Sequence, residues 1–118
     1  RGVAPLAGTT GFALVELLAP GRPHLEEVDV HPDHGRRGIG TALVREVCRW
    51  AQRAGYREVT LTTFRALPWN MPFYAGLGFA EIAPDELSPE LRAEVADEAA
   101  RGLDPAARSV MRYRVPRA

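Results

Sequence analysis

The chain has 118 residues, enough for one compact domain and too few for two. Hydrophobic residues make up 46% and charged residues 25%, which is typical of a globular protein and excludes a disordered, collagenous or coiled-coil chain. Basic and acidic residues balance at 15 each, so no net charge would attract nucleic acid or an anionic membrane. All 15 basic residues are arginine, and this composition suggests a GC-rich bacterial genome.

The single cysteine and the absence of long apolar runs indicate the cellular compartment in which the protein is expected. Cys48 alone excludes an internal disulfide and a multi-cysteine zinc site, and fits a reducing cytoplasm. No apolar run reaches the roughly 20 residues that span a bilayer, so we expect a cytoplasmic protein without membrane contact. The sequence opens at Arg1 and enters a predicted strand at once, so we expect that elements of the domain precede it.

The first part of the chain is predicted to form strands. The apolar run over 11–18 predicts a central strand, preceded by a shorter one over 2–6. A third strand is predicted over 24–30, closed by His31-Pro32. Strict alternation along it would place four side chains on one face: His24, Glu26, Val28 and Val30.

The hydrophobic period then changes from two residues to that of a helix. Leu43, Val47, Trp50 and Ala54 recur along one side, which predicts an amphipathic helix over 40–54. The remaining predicted elements are a strand over 58–64, a short helix from Asn70 to Gly76 or Gly78, a strand over 79–83, a helix from Ser88 to Arg101 and a strand over 110–115. This order predicts an α/β fold with at least one right-handed parallel crossover.

A glycine-rich loop joins the third strand to the long helix. Gly35, Gly38 and Gly40 lack a Cβ, so an anion can approach the backbone amides there and at the start of the helix. The helix dipole and the guanidinium groups of Arg36 and Arg37 add positive charge. The motif therefore predicts a phosphate cradle; a glycine-rich turn with two solvated arginines is the alternative.

This loop and a second motif resemble the GNAT superfamily of N-acetyltransferases. Gly38-Ile-Gly40 is similar to the end of the family's Arg/Gln-x-x-Gly-x-Gly/Ala signature, and Phe73-Tyr74 followed by Gly78-Phe79 resembles its aromatic-Tyr-x-x-x-Gly-Phe motif. The resemblance implies a mixed, mostly antiparallel sheet with a central, splayed parallel strand pair flanked by helices. Residues 1–118 would form a single domain that lacks the family's N-terminal strand and helices, with a helical insertion over 84–108.

The resemblance also implies acetyl-CoA as co-substrate. The pyrophosphate would lie on the loop, and the pantetheine would pair with the backbone of the splayed strand. The implied cofactor-binding residues are Val28, Val30, Gly35, Arg36, Arg37, Gly38, Ile39, Gly40, Thr41 and Asn70. The sequence departs from the family at Gly35, where the signature has Arg or Gln, and at Leu67, where an Asn is often found. Asn70 lies one turn later and has a helix cap as its alternative role.

The resemblance assigns two catalytic roles. Tyr74 would protonate the departing thiolate, and Glu26 would accept the amine proton, with His24 or water as alternatives. The structural alternatives are a core aromatic and a solvent-facing carboxylate. No metal is expected, because His31 and His34 lack a third well-placed ligand.

These assignments imply direct transfer of an acetyl group to a primary amine of a small molecule or peptide within a ternary complex. The alternative is a CoA-binding module without turnover, with a regulatory or assembly role.

The last predicted helix has an apolar stripe and an acidic surface. Leu87, Leu91, Val95 and Ala99 would be buried, leaving an acidic face in solvent: Glu90, Glu94, Asp97 and Glu98. We expect this face to attract a cationic amine beside the acceptor entrance or to form a subunit contact, as in a homodimer. A solvated helix that only adds stability is the alternative.

Overall fold

The computed structural model describes residues 2–8, 11–18, 22–30, 38–65, 70–102 and 107–117. Its helices and strands lie within two residues of the predicted bounds: β1 (Gly2–Gly8), β2 (Gly11–Leu17), β3 (Pro23–Val30), α1 (Ile39–Arg53), β4 (Glu58–Phe64), α2 (Asn70–Gly76), β5 (Phe79–Glu81), α3 (Pro89–Ala100) and β6 (Arg108–Arg114). A 3-10 turn over Pro84–Glu86, which the sequence analysis did not predict, precedes α3. Within these ranges every helix is too short or too polar to span a bilayer.

The strands form one six-stranded sheet in the order β1-β2-β3-β4-β6-β5. All neighbouring strands are antiparallel except β3 and β4, which are parallel and are connected through α1. The predicted mixed, mostly antiparallel sheet with a central parallel pair is confirmed.

The parallel pair separates along its length. His24 pairs with Thr60 and Leu25 with Leu61, and the ladder between the described residues of β3 and β4 ends there. Both strands nevertheless continue, β3 to Val30 and β4 to Phe64. Their carboxyl ends therefore carry backbone groups that the neighbouring parallel strand does not use, which is the expected splay.

Two apolar clusters cover the two faces of the sheet. The larger one packs Val44, Val47 and Ala51 of α1 against the sheet, all at 0% exposure. The smaller one joins Leu91 of α3 to its neighbours Ile82 and Val110. Fully burying a side chain of this size contributes about 1.5–3 kcal/mol, so each helix is held mainly by its apolar stripe.

A β-bulge at Glu26 interrupts the alternation of β3. Leu14 of β2 pairs with Glu27 and Val15 pairs with Leu25, so Glu26 is an extra residue without a partner in this ladder. An extra residue shifts every later side chain to the other face of the sheet.

The bulge corrects the prediction that His24, Glu26 and Val28 share one face. Val28 packs against the same cluster as Leu25, on the α1 side. The carboxyl of Glu26 lies near those of α3 instead, on the side to which the His24 ring also points. Strict alternation failed at this strand because a bulge depends on the pairing with β2, which a pattern of apolar residues does not encode.

Candidate active site

The N-terminus of α1 is open to a ligand. Gly38 is its N-cap with φ 73°, in the left-handed region that favours glycine, and its carbonyl accepts the first helical hydrogen bond from Ala42 N at 3.0 Å. No side chain caps the helix, and its first turn contains no acidic residue. The first-turn amides, including those of Gly40 and Thr41, therefore lack an intrahelical acceptor and lie at the positive end of the dipole.

Several residues predicted to bind the cofactor lie outside the described part of the chain. Gly35, Arg36 and Arg37 lie within residues 31–37, whose positions are not described. Of Val30 and Ile39, only the backbone is described.

Asn70 links α2 to the splayed strand pair. It is the first residue of α2, and its Nδ2 donates a hydrogen bond to Thr63 Oγ1 on β4 at 2.9 Å. Thr63 is itself buried and lies beyond the last pair that β4 makes with β3. Asn70 therefore lies beside the splay, and its side chain fixes the start of α2 against β4.

Tyr74 is held in an aromatic cluster. Its ring packs edge-on against Phe73 and Phe79, with ring centroids 5.0 and 5.7 Å away. Burial raises the pKa of the Tyr74 hydroxyl above its ordinary value of 10, so the group keeps its proton at neutral pH. The hydroxyl makes no hydrogen bond to another described residue.

A compact group of titratable side chains lies between β3 and α3. Atoms of His24, Glu26 and Glu94 that could act as ligands all lie within 4.8 Å of one another. His24 and Glu94 are each only 2% exposed, whereas Glu26 remains open to solvent. A ligand would therefore reach this group at Glu26. One imidazole and two carboxylates are also donors that a divalent cation could use.

Two threonines of β4 orient the His24 ring. Its Nδ1 lies 2.7 Å from Thr60 Oγ1, and its Nε2 lies 3.5 Å from Thr62 Oγ1. Both threonines alternate onto the same face of β4, directly beside β3. The ring is therefore fixed and buried, while Glu26 is the accessible member of the group.

The carboxyl of Glu26 has a pKa near 8 instead of 4.5. Although the residue is exposed, its carboxyl is partly desolvated by its neighbours, and this desolvation is the largest cause. The hydrogen bond with Glu16 and the negative charges of Glu94, Glu16 and Glu98 are the further causes. A hydrogen bond between two carboxyl groups needs a proton, so the contact with Glu16 favours the protonated form of Glu26. A pKa near neutrality is suited to a group that accepts and releases a proton during a reaction.

The acidic surface of α3 is oriented differently from the prediction. Glu94 and Glu98 are 2% and 6% exposed, so the expected solvent-exposed acidic face is wrong for these two residues. They follow Leu91 at i+3 and i+7 and share its buried stripe. The sequence contains this spacing, but its pattern of apolar residues predicts burial of the stripe through Leu87, Leu91, Val95 and Ala99 instead.

Ion pairs hold these buried carboxylates in place. Glu98 Oε2 lies 2.7 Å from Arg108 Nη2, and Glu94 Oε1 lies 3.9 Å from Arg101 Nη2. Arg108 Nη2 also donates to the backbone carbonyl of Thr62 at 3.3 Å. Helix α3 is thereby linked to the carboxyl end of β4, beside the splay.

Solved structures with the same fold are acetyltransferases. The chain superposes with a TM-score of 0.70 on N-acetylglutamate synthase from Neisseria gonorrhoeae, solved with coenzyme A and N-acetylglutamate (22% identity, 92% of this chain and 23% of that chain). It superposes with a TM-score of 0.69 on the ribosomal-protein-S18-alanine N-acetyltransferase from Escherichia coli (17% identity, 100% and 74%). The fold is therefore that of the acetyltransferases.

The sequence identifies the family directly. Residues 3–79 match the model of the acetyltransferase (GNAT) family, and the chain belongs to that family. The predicted resemblance is thereby confirmed.

Curated relatives are acetyltransferases that are longer than this chain. Mycothiol acetyltransferase from Nocardiopsis dassonvillei is 55% identical over 107 residues, a match that covers 74% of this chain and 32% of that protein. Human N-acetyltransferase 8B is 37% identical over 76 residues, covering 63% and 34%. The chain thus spans about a third of the length of these two relatives.

Proposed function

We propose that this chain carries the catalytic site of an acetyl-CoA-dependent N-acetyltransferase that acetylates a primary amine by direct attack in a ternary complex. The observation that carries the proposal is that the β3–β4 ladder ends after Leu25 and Leu61, although both strands continue. In the chain, β3 is followed by α1, whose N-terminus is open. An extended pantetheine arm can occupy such a splay as an additional strand, and a pyrophosphate suits the helix N-terminus.

The cofactor would bind mostly through backbone groups. Val28 and Val30 would pair with the pantetheine, and a backbone N–H at the splay would stabilise the oxyanion of the tetrahedral intermediate. The loop and first helical turn would hold the pyrophosphate through Gly35, Arg36, Arg37, Gly38, Ile39, Gly40 and Thr41. Asn70 would contact the cofactor from the start of α2. The solved structure of an acetyltransferase from Thermoplasma acidophilum with coenzyme A (TM-score 0.63, 17% identity, 89% of this chain and 53% of that chain) supports a CoA site in this fold.

The chemistry would need one proton acceptor and one proton donor. Glu26 takes the proton that the acceptor ammonium releases, and the free amine attacks the thioester carbonyl. The tetrahedral intermediate then collapses, its C–S bond breaks, and Tyr74 donates a proton to the leaving thiolate. The nitrogen gives up its second proton, which returns through solvent to the Tyr74 phenolate, so the products are the amide and the free thiol. The raised pKa values of Glu26 and Tyr74 support these roles, because one group is poised near neutrality and the other stays protonated.

The surroundings of Glu26 favour a positively charged acceptor. Glu16, Glu94 and Glu98 all raise the pKa of Glu26 through their charge, which places negative potential at the open end of the group. An ammonium group is stabilised by such a potential before it loses its proton. The acceptor would therefore be an amine that is protonated in solution.

Acetylation assays over polyamines, amino acids, aminoglycosides and peptide amines, with acetyl-CoA as donor, test the proposal. We expect thiol release that depends on one class of amine and CoA binding detectable by calorimetry. CoA binding without turnover on any amine, even in the full-length protein, would favour the CoA-binding module instead. Absence of CoA binding would contradict both functions.

A further inference from the structure

An arginine-rich cleft lies at the end of the sheet opposite the N-terminus of α1. It encloses about 500 Å³ where β3 and β4 begin and β6 ends. Four arginines and one carboxylate are among the residues that line it: Arg22, Arg57, Glu58, Arg112 and Arg114. Since the whole chain has balanced charge, this accumulation of positive charge is local.

The pairing of the strands brings these side chains together. Glu58 pairs with Arg114 across the β4–β6 ladder, and Arg112 is two residues before Arg114, on the same face of β6. The parallel register of β3 and β4, with His24 opposite Thr60, sets Arg22 beside Glu58. The pairing of the strands in the sheet therefore places these charged side chains next to one another.

One carboxylate holds two of the guanidinium groups and leaves the other two unneutralised. Glu58 Oε1 lies 3.1 Å from Arg22 Nη1, and Glu58 Oε2 lies 3.6 Å from Arg112 Nε. Arg57 and Arg114 are exposed and form no ion pair with any other residue in the described ranges. The cleft therefore has an excess of three positive charges, with two arginines already oriented by Glu58.

The wall formed by Gly55, Tyr56 and Arg57 is structurally fixed. Gly55 ends α1 in the left-handed conformation with φ 83°, and the Tyr56 ring packs on Trp50 with centroids 5.2 Å apart. The carbonyl of Arg57 accepts a hydrogen bond from Val115 N at 2.9 Å. A second cleft of about 580 Å³ begins at this wall and adds Arg117.

We propose that this cleft binds a small multivalent oxyanion, of the phosphate-ester or polycarboxylate class, at a site separate from the cofactor cradle. Guanidinium groups bind such anions through paired N–H donors, and two or more negative charges offset the repulsion among the four arginines. Arg57 and Arg114 supply the unneutralised donors, while Arg22 and Arg112 are held in position by Glu58.

Calorimetric titration of inorganic pyrophosphate into the CoA-saturated protein tests this proposal, because CoA occupies the cradle at α1. We expect binding that weakens with added NaCl, and a loss of about tenfold or more in affinity for Arg57→Ala combined with Arg114→Ala. Tricarballylate in a parallel titration distinguishes carboxylate from phosphate ligands. Both replaced side chains are exposed, so the variant should keep the parent's melting temperature.

Arg49→Ala provides the control, because Arg49 is exposed on α1 and pairs within the helix with Glu46. We expect its pyrophosphate affinity to match the parent's, and amide chemical-shift changes in the parent to centre on 55–58 and 112–114. Equal weakening by Arg49→Ala, shifts confined to 38–41, or no binding of either anion would overturn the proposal. These outcomes do not depend on catalysis, so they leave the proposed acetyl transfer to be judged by its own assays.

Discussion

Glu26 is the residue whose behaviour depends most on its surroundings. It is the extra residue of a bulge, close to His24 and Glu94, and its carboxyl has a pKa near 8. Placed on a regular strand in water, the same side chain would stay ionised above about pH 4.3 and would be a weak proton acceptor. Bulges occur preferentially beside active sites, where the extra residue changes the direction in which side chains of the strand point.

Replacement of Glu26 by Gln tests its role as a base. We expect kcat/KM of the parent to rise with pH up to about 8, as Glu26 loses its proton. Glu26→Gln should lower the rate at neutral pH by about 10²-fold, with recovery at high pH as the free amine becomes the dominant species. Stopped assays over a pH series measure both profiles. Glu86→Gln, an exposed residue of the 3-10 turn, is the matched control, and an unchanged profile for Glu26→Gln would remove it as the base.

Replacement of Tyr74 by Phe tests the proton donor. The variant keeps the ring contacts with Phe73 and Phe79 and loses only the hydroxyl. We expect kcat to fall by about 10²-fold while the CoA dissociation constant stays the same. Tyr113→Phe, which removes a hydroxyl from a neighbouring ring on β6, should leave kcat unchanged. Equal kcat for parent and Tyr74→Phe would make Tyr74 a packing residue.

At the scale of single elements, α1 offers a matched pair of glycines. Gly38 at its N-terminus and Gly55 after its C-terminus both have positive φ, and a Cβ at either position would contact nothing within 4 Å. Alanine at either site therefore introduces backbone strain of order 1 kcal/mol or more without a steric clash.

The pair separates cofactor binding from stability. Gly38→Ala should weaken CoA binding by about tenfold, because strain at the N-cap displaces the first-turn amides. Gly55→Ala should lower the melting temperature about as much as Gly38→Ala does, but it should leave the CoA affinity unchanged. Calorimetry and thermal denaturation measure the two effects. CoA affinity that is the same for parent and Gly38→Ala would contradict the cradle assignment.

Helix α3 contributes charge to the candidate site. Glu94 lies within the group that contains Glu26, and its negative charge is one cause of the raised Glu26 pKa. Glu94→Gln should therefore lower the Glu26 pKa and move the rising limb of the kcat/KM profile to lower pH. Glu90→Gln, in the first turn of the same helix, is the control. If the rising limb of the kcat/KM profile lies at the same pH in Glu94→Gln as in the parent, α3 acts on the site only through packing.

For the whole molecule, the raised pKa of Glu26 predicts how stability varies with pH. The folded protein holds the Glu26 proton up to about pH 8, whereas the unfolded chain releases it near pH 4.5. The stability that this group contributes is therefore fully present below about pH 4.5 and is lost as pH rises through 8. Melting temperatures measured from pH 5 to 9 should fall less steeply for Glu26→Gln than for the parent. Parallel curves would show that Glu26 titrates near its ordinary value.

The sequence by itself determined the elements, the family and the residue types of the site. Helix α1 follows from its apolar period, and β4 from its β-branched residues, because local spacing and propensity decide both. Two short motifs, around Gly38 and around Tyr74, were enough to predict a GNAT fold that the family match confirms.

The tertiary structure alone decided which side chains meet. The bulge at Glu26 arises from pairing with β2, and it moved Val28 to the opposite face from Glu26. The burial of Glu94 and Glu98 depends on how α3 packs on the sheet, and Glu98 is paired with Arg108 of β6. Likewise, two arginines of the anion cleft lie on β6 and the other two directly precede β3 and β4, and only the register of the sheet brings the four together. Such contacts join residues far apart in the chain, so no local pattern of residues encodes them.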